Sequence, residues 1–552
     1  KALIFVGAND TFLPGALIRS GLLTERDRDK FATGKIHLSP GGKEKAYEQK
    51  FYLYMNLTKP SETLDIYYSK VSADGKSIRP SYLIQEMQRL FSGLEIEDEE
   101  KQAFSAQEWT PRLGMQKVIR GFQDGNAMDQ EWQELYSWYK RQPQWQYRVE
   151  ELMKSGFYTR PADGLTKEVA KQLYGEHFQD SITRIERFSA CAFAHFLTYG
   201  LRLRERQIYE FQPIDLGNVC HSALEYYSRK LKEEHLSWTE IEEEKRQEYI
   251  DDSVEHAISD YGNSVLYSSA RNEYMIERMK RLLTRTIWAL TKQLEAGDFV
   301  PVAYEMRFEN GKIDRVDLCK DKDKVYVKVL DYKTGSKDFD VVALYHGLQL
   351  QLMVYMDAAV KMTQKHYPDS EVIPAGVFYY RLNDPLVEKK VVGEEEEIWQ
   401  KVLKELKVDG VMNLKDETLE HLDHCQAGES AVIPVKYNKN GSLSKNSKVA
   451  SEQEFEVMMR HALGKVLKVH RKILSGEVAA FPYRRKQESG CDYCAYRHIC
   501  GFDQKIPGYK YRDIFEMTQS EVIAAMEADA VKENMNRDDH EKEQEKGTGS
   551  WE

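Results

Sequence analysis

Two short segments combine acidic and basic residues at a spacing that suits phosphodiester chemistry. They are Gly311-Lys-Ile-Asp-Arg-Val-Asp317 and Leu330-Asp-Tyr-Lys-Thr-Gly335. On a strand, side chains two residues apart point to the same face, so Asp331 and Lys333 would lie together. Asp314, on a neighbouring strand of a hairpin, could place a second carboxylate beside Asp331. Two carboxylates are a common protein contribution to a Mg²⁺ site, which leaves positions for water and a phosphate.

Lys333 would add positive charge at this place. A metal so bound can lower the pKa of its water, and the lysine could orient that water or stabilise the transition state. An isolated Asp-x-Lys is most often a surface ion pair. The Gly-x-x-Asp segment upstream, with strand patterns around both segments, favours an active site.

Three further polar residues could support the site. His221 follows Gly217-Asn-Val-Cys220 at the start of a predicted helix and could be a third metal ligand. Gln351 and Tyr355 are one helical turn apart and could hold a phosphate or the lysine. Each has a plain alternative, because a single histidine is usually packed or capped and the pair could be ordinary helix residues.

Four of the seven cysteines could form one metal site. Cys491, Cys494 and Cys500 lie close together and Cys191 lies far upstream. Thiolates at this spacing can hold either Zn²⁺ or an iron-sulfur cluster, and His498 could replace Cys191 in a zinc site. In either case the metal would close a very long loop and act as a structural pin. The other cysteines, Cys220, Cys319 and Cys425, are expected to be ordinary thiols.

The composition and length are those of a globular protein with hydrophobic cores and several domains. The chain has 552 residues, 41% hydrophobic and 31% charged, with a net charge of -11. This length suits about three or four domains, and no apolar run approaches the roughly 18 residues that span a bilayer. The cysteine pattern predicts a reducing compartment, the cytoplasm. The negative charge argues against a protein that coats nucleic acid over its whole surface.

The hydrophobic patterns predict a chain of mixed α/β class. We expect an α/β layer over residues 1–95, a helical connector over 96–180, the site domain over 181–512 and a charged, disordered tail over 513–552. Within the site domain they predict a three-stranded meander from Val300 to Tyr332, a helix from Val341 to Met362 and a strand at Ala375–Tyr380. The chain starts at Lys1 within a strand-like run, so we expect a fragment.

A basic stretch rich in tyrosine surrounds the last three clustered cysteines. Between Tyr483 and Arg512, arginine and lysine outnumber acidic residues. Such a patch could hold a phosphate backbone and stack bases. The alternative is a solvated cluster around a metal knuckle.

Four motifs, in order, resemble those of RecB-type nucleases in the PD-(D/E)XK superfamily. They are Gly217-x3-His221, Gly311-x-Ile-Asp314, Leu330-Asp-Tyr-Lys333 and Gln351-Leu-x2-Tyr355. The resemblance implies a restriction-endonuclease-like fold. It also implies that Mg²⁺ is bound by His221, Asp314, Asp331 and the Tyr332 carbonyl, that Lys333 is catalytic, and that Gln351 and Tyr355 support DNA or the site geometry.

The cysteines extend this resemblance to the iron-sulfur subgroup of these nucleases. It implies a 4Fe-4S cluster held by Cys191, Cys491, Cys494 and Cys500. The whole chain is similar to the carboxy-terminal part of the B subunits of AddAB-type helicase-nucleases.

The amino-terminal region is similar to the second motor domain of UvrD-like, superfamily-1 helicases. The similar segments are Ile4–Gly7, Phe12–Pro14, Gly21–Arg26, Asn56–Lys59 and Leu64–Tyr67. Lys59 stands where an active motor of that family has an arginine, and it lacks the planar fork for bidentate phosphate contact. The sequence also lacks a Gly-x4-Gly-Lys-Ser/Thr phosphate loop. The resemblance therefore implies a degenerate motor that guides single-stranded DNA and helps to recognise the hotspot Chi.

Together, these resemblances predict a Mg²⁺-dependent exodeoxyribonuclease subunit. It would cut one unwound strand at double-stranded DNA ends during break resection, without contact to a membrane. Its partner in a heterodimer would be the A subunit of these helicase-nucleases, which is a motor helicase-nuclease. The alternatives are a non-catalytic scaffold for DNA binding and Chi recognition, and a free-standing exonuclease.

Overall fold

The computed structural model forms two compact units, residues 1–156 and 157–552. The structure describes these ranges: 1–13, 41–98, 110–124, 130–160, 164–175, 181–204, 213–262, 269–309, 311–335, 337–385 and 395–532, with single residues 28, 30, 31, 206 and 267. The predicted segment at 21–26 and the tail from 533 onward lie outside these ranges.

The first unit begins with a small parallel sheet. Strand β1 (Leu3–Val6) pairs with β2 (Leu64–Tyr67), and helices α1 (Gly42–Leu57) and α2 (Tyr82–Leu90) follow β1 and β2 in the chain. The side-chain amide of Asn9 donates to the backbone oxygens of Ser69 and Arg79 at 2.7 and 3.1 Å, so it ties the loop after β1 to the segment that follows β2. These elements agree with the predicted α/β layer.

Three helices complete the first unit: α3 (Pro111–Asp124), α4 (Gln130–Arg141) and α5 (Pro143–Gly156). They share a core of Val118, Trp132, Tyr139 and Val149. The indole of Trp132 donates to the Val118 oxygen at 3.1 Å, a close approach that needs Gly121, because a Cβ there would overlap the ring. The connector predicted over 96–180 is therefore divided, since helix α6 (Lys167–Tyr174) belongs to the second unit.

A six-stranded mixed sheet organises the second unit. Its order is β3 (Val300–Phe308), β4 (Gly311–Asp321), β5 (Lys324–Lys333), β6 (Glu371–Arg381), β7 (Asp409–Asn413) and β8 (Val449–Ala450). Strands β3 to β5 form the predicted antiparallel meander, and β6 pairs parallel to β5 after a helical crossover. The remaining strands, β9 (Tyr483–Arg485), β10 (Glu488–Ser489) and β11 (Arg512–Asp513), form a separate small sheet.

Helices cover both faces of the large sheet. One face packs against α9 (Pro213–Glu233), α10 (Glu243–Gly262), α11 (Ala270–Glu295), α14 (Glu395–Glu405) and α15 (Asp416–Leu422). The other packs against α7 (Ile182–Ala190), α13 (Gln351–His366), α16 (Glu452–Leu474) and a final helix, α18, over residues 519–532. Because both faces are covered, β5 is buried along nearly its whole length. The shortest helices are α8 (Ala192–His195), α12 (Val341–Tyr345) and α17 (Arg497–Cys500).

The predicted helix from Val341 to Met362 is wrong in one respect. The segment is two helices, because α12 ends at Tyr345 and α13 begins at Gln351. Between them Gly347 has φ +77°, a left-handed conformation that ends a helix and that glycine adopts without strain. The break leaves the first amides of α13 available to the site described below.

The prediction of a disordered tail from residue 513 is wrong for residues 513–532, which are ordered. Strand β11 pairs with β9, and α18 buries Val522, Ile523 and Met526 against the core. The apolar residues of this helix are spaced so that one side packs while charged residues occupy the other. Charge content alone therefore led to a prediction of disorder for a segment that forms an amphipathic helix.

Within the described ranges, no helix is both long enough and apolar enough to cross a bilayer.

Candidate active site

Two buried carboxylates meet where β4 and β5 lie side by side. Asp314 lies near the start of β4 and Asp331 near the end of β5, and the antiparallel register brings these ends together. The Tyr332 backbone amide donates to Asp314 Oδ2 at 2.8 Å. The side chain of Asp331 is 1% exposed. The structure therefore places both predicted acidic residues in one buried site.

Both carboxylates lack full compensation of their charge. Burial raises the pKa of Asp314. Burial raises the pKa of Asp331 as well, and the neighbouring Asp314 charge raises it further. Close carboxylates in a buried place are unfavourable unless a cation or proton joins them. This is the electrostatic setting that a divalent cation would relieve.

His221 reaches the same place from α9. Its Nδ1 lies 3.4 Å from Asp314 Oδ2, and the ring also hydrogen-bonds the Tyr332 backbone. Burial lowers the pKa of His221, which favours the neutral ring that can bind a metal. Gly217 lets α9 approach the loop after β5 closely. A Cβ at this position would lie 3.2 Å from the side chain of Thr334.

Lys333 and Gln351 hold Asp331 from two sides. Lys333 Nζ lies 2.5 Å from Asp331 Oδ2. The Gln351 amide donates to Asp331 Oδ1 and to the Tyr355 hydroxyl oxygen, both at 2.9 Å. The predicted pair on α13 is thus part of the site, where it fixes the orientation of the carboxylate.

Glu186 on α7 fixes the start of α13 and was missed from the sequence. Its Oε1 accepts from the amides of Leu350 and Gln351 at 2.7 and 3.1 Å. These amides are free because the preceding helix ends early, and a carboxylate at a helix start is favourable. Glu186 therefore positions Gln351, which in turn positions Asp331.

A third acidic residue, Glu305 on β3, was also missed. One ligand atom from each of His221, Glu305 and Asp314 lies within 4.8 Å of the others. Glu305 has φ +49°, an unusual conformation for a residue other than glycine, and such strain is typical of functional positions. Its carboxylate also contacts Lys312. The one signal in the sequence was an acidic residue inside an apolar strand just before Gly311.

The donor set suits a hard divalent cation. Carboxylate oxygens and one imidazole are ligands that Mg²⁺ or Mn²⁺ accepts, and burial, which raises the pKa of Asp314 and of Asp331, disfavours their charge without a bound cation. His221, Glu305, Asp314 and Asp331 are the residues that could hold it.

A buried ionic cluster lies on the opposite face of the same strands. Arg315 donates to Asp317 through Nε and Nη2 at 2.6 and 3.0 Å, and Lys328 Nζ lies 2.9 Å from Asp317 Oδ2. Removing one partner of such a group would leave a buried charge unpaired. The cluster therefore joins β4 to β5 beneath the site.

The four predicted cysteines gather at a second place in this unit. Cys191, Cys491, Cys494 and Cys500 line one cavity, with apolar neighbours such as Phe193, Pro482 and Phe502, and His498 is not among the lining residues. Cys191 lies in the extended break between α7 and α8. The hydroxyl of Tyr496 links the loop to Thr198 and Leu203, at 3.1 and 3.0 Å.

Two arginines of the basic stretch around these cysteines are paired with acidic neighbours. Arg484 contacts Asp513, and Arg485 contacts both Glu516 and Asp340, at 2.7 to 2.8 Å. These contacts leave the two arginines less available to a phosphate backbone.

Comparison with known proteins agrees with the geometry. The model of the "PD-(D/E)XK nuclease superfamily" matches residues 179–501, more than half of the chain. The chain belongs to this superfamily, whose nucleases depend on a divalent metal. The model of the "ATP-dependent helicase/deoxyribonuclease AddB fifth domain" matches residues 115–155, which are helices α3 to α5.

Whole-chain relatives give a more particular likeness. The chain is 40% identical to the B subunit of the ATP-dependent helicase/deoxyribonuclease of Lachnoclostridium phytofermentans, over 95% of this chain and 47% of the relative. Proteins of the same description from Clostridium perfringens and Caldanaerobacter subterraneus are 32% and 31% identical, each over 93% of this chain and 47% of the relative. The chain thus spans about half the length of the curated relatives it matches.

Proposed function

We propose that this site hydrolyses phosphodiester bonds of DNA with Mg²⁺. The observation that carries the proposal is the convergence of Asp314, Asp331 and His221 beside Lys333 in one buried place. His221, Asp314, Asp331 and the Tyr332 carbonyl would hold the metal, and Glu305 joins them. When bound, Mg²⁺ supplies Lewis-acid charge at the scissile phosphate and a more acidic water.

The protein's own residues then perform four tasks. Asp314 and Asp331 fix the cation, and Gln351 fixes Asp331. Lys333, 25% exposed, could contact a water or a phosphate oxygen beside Asp331. Its positive charge would stabilise charge that develops on the phosphate. Asp331 is 1% exposed, so bulk water has little access to its carboxylate and the interactions of that group are strengthened.

Glu305→Gln is expected to weaken metal binding without unfolding the site. Removal of one acidic group should lower DNA cleavage about 10- to 100-fold and raise the Mg²⁺ concentration needed for half-maximal rate. The measurement is cleavage of labelled DNA across a Mg²⁺ titration by the full-length protein. Glu309→Gln, an exposed residue just after β3, is the matched control and should behave as wild type. An unchanged Mg²⁺ dependence in Glu305→Gln would exclude this residue from the site.

The four-cysteine cavity is proposed to hold a 4Fe-4S cluster. All four thiols line the cavity, and the Phe502 amide lies 3.5 Å from the Cys500 sulfur, as amides around such clusters do. Four sulfurs around one zinc ion, each at about 2.3 Å, would be about 3.8 Å apart. In the part of the chain that the structure describes, these thiols do not form a group with ligand atoms within 4.8 Å of one another. The wider spacing supports a cluster over a single ion.

In the cell, the chain is proposed to act as the nuclease subunit of a heterodimeric helicase-nuclease. The relatives are described as the B subunit of an ATP-dependent helicase/deoxyribonuclease, which implies a partner chain. The partner would be the motor, and this chain would cut one unwound strand at double-strand breaks. The first unit is proposed to guide single-stranded DNA and to take part in recognising Chi without hydrolysing ATP, because Lys59 stands where an active motor has an arginine.

A strand-resolved assay tests this role. The full-length protein with its motor partner acts on a duplex in which each strand carries a different label, with Mg²⁺ and ATP. The variant Lys333→Gln should lose cutting of one strand while unwinding and ATP hydrolysis continue. Cutting of both strands by this variant would instead favour the non-catalytic scaffold. Equal degradation by the protein without its partner would favour a free-standing exonuclease.

A further inference from the structure

A second group of metal-ligating side chains lies away from the active site. It joins Asp298, in the turn after α11, with Cys319 on β4 and His421 on α15. One ligand atom from each lies within 4.8 Å of the others. His424 borders the group, because its Nε2 lies 3.0 Å from Asp298 Oδ1. At about 3.4 Å per residue, Cys319 lies roughly 17 Å along β4 from Asp314.

The backbone holds this group together independently of any metal. The Asp298 amide donates to the His421 oxygen and the His424 amide donates to the Ala296 oxygen, both at 2.8 Å. Gly297 permits this closeness, because a Cβ there would lie 2.4 Å from the His421 oxygen. The turn after α11 is thus fixed against the end of α15, so the donors are positioned in advance.

The side chains have the arrangement of metal ligands and their supports. His421 Nδ1 lies 2.8 Å from Asp298 Oδ2. Its other ring nitrogen lies 3.9 Å from Asp321 Oδ2, and a carboxylate behind a histidine is a common support for a metal ligand. The ring also packs against Tyr326, with ring centres 5.0 Å apart, so its orientation is restricted.

The burial of the Cys319 thiol is a second observation that points to a bound ligand. It is 4% exposed and free of any disulfide, and its thiol has no hydrogen-bond partner among the described residues. It faces the side of the sheet that α15 covers. The buried thiol thus lies beside one histidine and one carboxylate, and that carboxylate, on Asp298, is half-exposed.

We propose that Asp298, Cys319 and His421 bind Zn²⁺. Sulfur and imidazole nitrogen favour zinc over the hard cation of the active site, and three protein donors with one water suit its tetrahedral geometry. The ion would join α11, β4 and α15 at the end of the β4–β5 hairpin remote from the catalytic residues. Its role is structural. The competing account is a hydrogen-bonded clamp that binds no metal.

Metal analysis of the full-length protein tests the proposal. The protein is stripped with a mild chelator, incubated with zinc sulfate, desalted and analysed for zinc and iron. Wild type should retain about one zinc per chain that Cys319→Ala and His421→Gln lack. Cys425→Ala, a thiol outside the group, is the matched control and should retain it. Zinc retained by either of the first two variants, or absent from wild type, overturns the proposal.

Zinc-edge X-ray absorption of the loaded wild type gives an answer that needs no variant. The proposal predicts one sulfur at about 2.3 Å and three nitrogen or oxygen atoms at about 2.0–2.2 Å. Four sulfur neighbours would place the zinc in the four-cysteine cavity and overturn the assignment. An all-oxygen shell would also overturn it.

Discussion

Asp331→Asn is expected to reduce DNA cleavage by about a thousandfold or more. Asparagine keeps the shape of the side chain and can still accept from Gln351, but it removes the charge that holds the cation. Several kcal/mol of transition-state stabilisation depend on that cation, and each 1.36 kcal/mol is about a tenfold change in rate. The measurement is the single-turnover cleavage rate of labelled DNA at saturating Mg²⁺.

The same substitution should leave the metal-free fold intact or slightly more stable. A carboxyl whose pKa is raised in the folded state binds its proton more tightly there than in the unfolded chain, so its ionised form at neutral pH lowers stability. Removing that charge offsets the loss of the Lys333 ion pair. Thermal melting in a chelator measures this balance.

Asp357→Asn is the matched control for both measurements. Asp357 lies on α13, is 20% exposed and pairs at 2.7 Å with Lys361, which is 65% exposed, so the ion pair is near solvent and contributes little. It should cleave and melt as wild type. Cleavage that survives in Asp331→Asn would contradict the proposed site, whereas a lower melting temperature alone would contradict only the account of its electrostatics.

Cys191→Ala is expected to release the cluster and destabilise the second unit by several kcal/mol. The cluster closes a loop of about 300 residues between Cys191 and Cys491, and the chain-entropy relation developed for disulfides gives at most about 6 kcal/mol for that length. Iron content should fall from about four atoms per chain to near zero. Iron analysis and the denaturation midpoint of the full-length protein are the measurements.

Cys425→Ala controls for the loss of a thiol. Its sulfur donates to the Ala427 oxygen at 3.3 Å and does not line the cluster cavity. It should retain iron and denature as wild type. If Cys191→Ala also keeps its iron and its denaturation midpoint, the proposal that a cluster bound by the four cysteines stabilises the second unit is wrong.

Local patterns were sufficient to predict four of the six strands of the central sheet, β3 to β6, and the positions of the candidate site residues on two of them. Strands β3 to β5 have alternating or wholly buried side chains separated by short turns, so their meander follows from the sequence alone. Asp314, Asp331 and Lys333 lie on adjacent strands of it. Gln351 and Tyr355 are one turn apart on a helix, which fixes their common direction.

Features that depend on contacts distant in the chain could not be predicted. Glu305 enters the site through a left-handed backbone position, which the residue type does not reveal. Glu186 acts only because Gly347 ends a helix early and exposes the amides of α13. Cys319, expected to be an ordinary thiol, meets His421 through the packing of α15 on the sheet.

The shared cation is the central claim, and a Mn²⁺-soaked crystal of the full-length protein tests it most directly. Mn²⁺ accepts the ligands of Mg²⁺ and gives an anomalous X-ray signal. The account predicts a peak at about 2.0–2.2 Å from oxygens of both Asp314 and Asp331, with His221 beside it. An Asp331→Asn crystal treated in the same way should lack that peak. A wild-type crystal with no peak there, or with a peak that touches only one of the two carboxylates, would contradict the account.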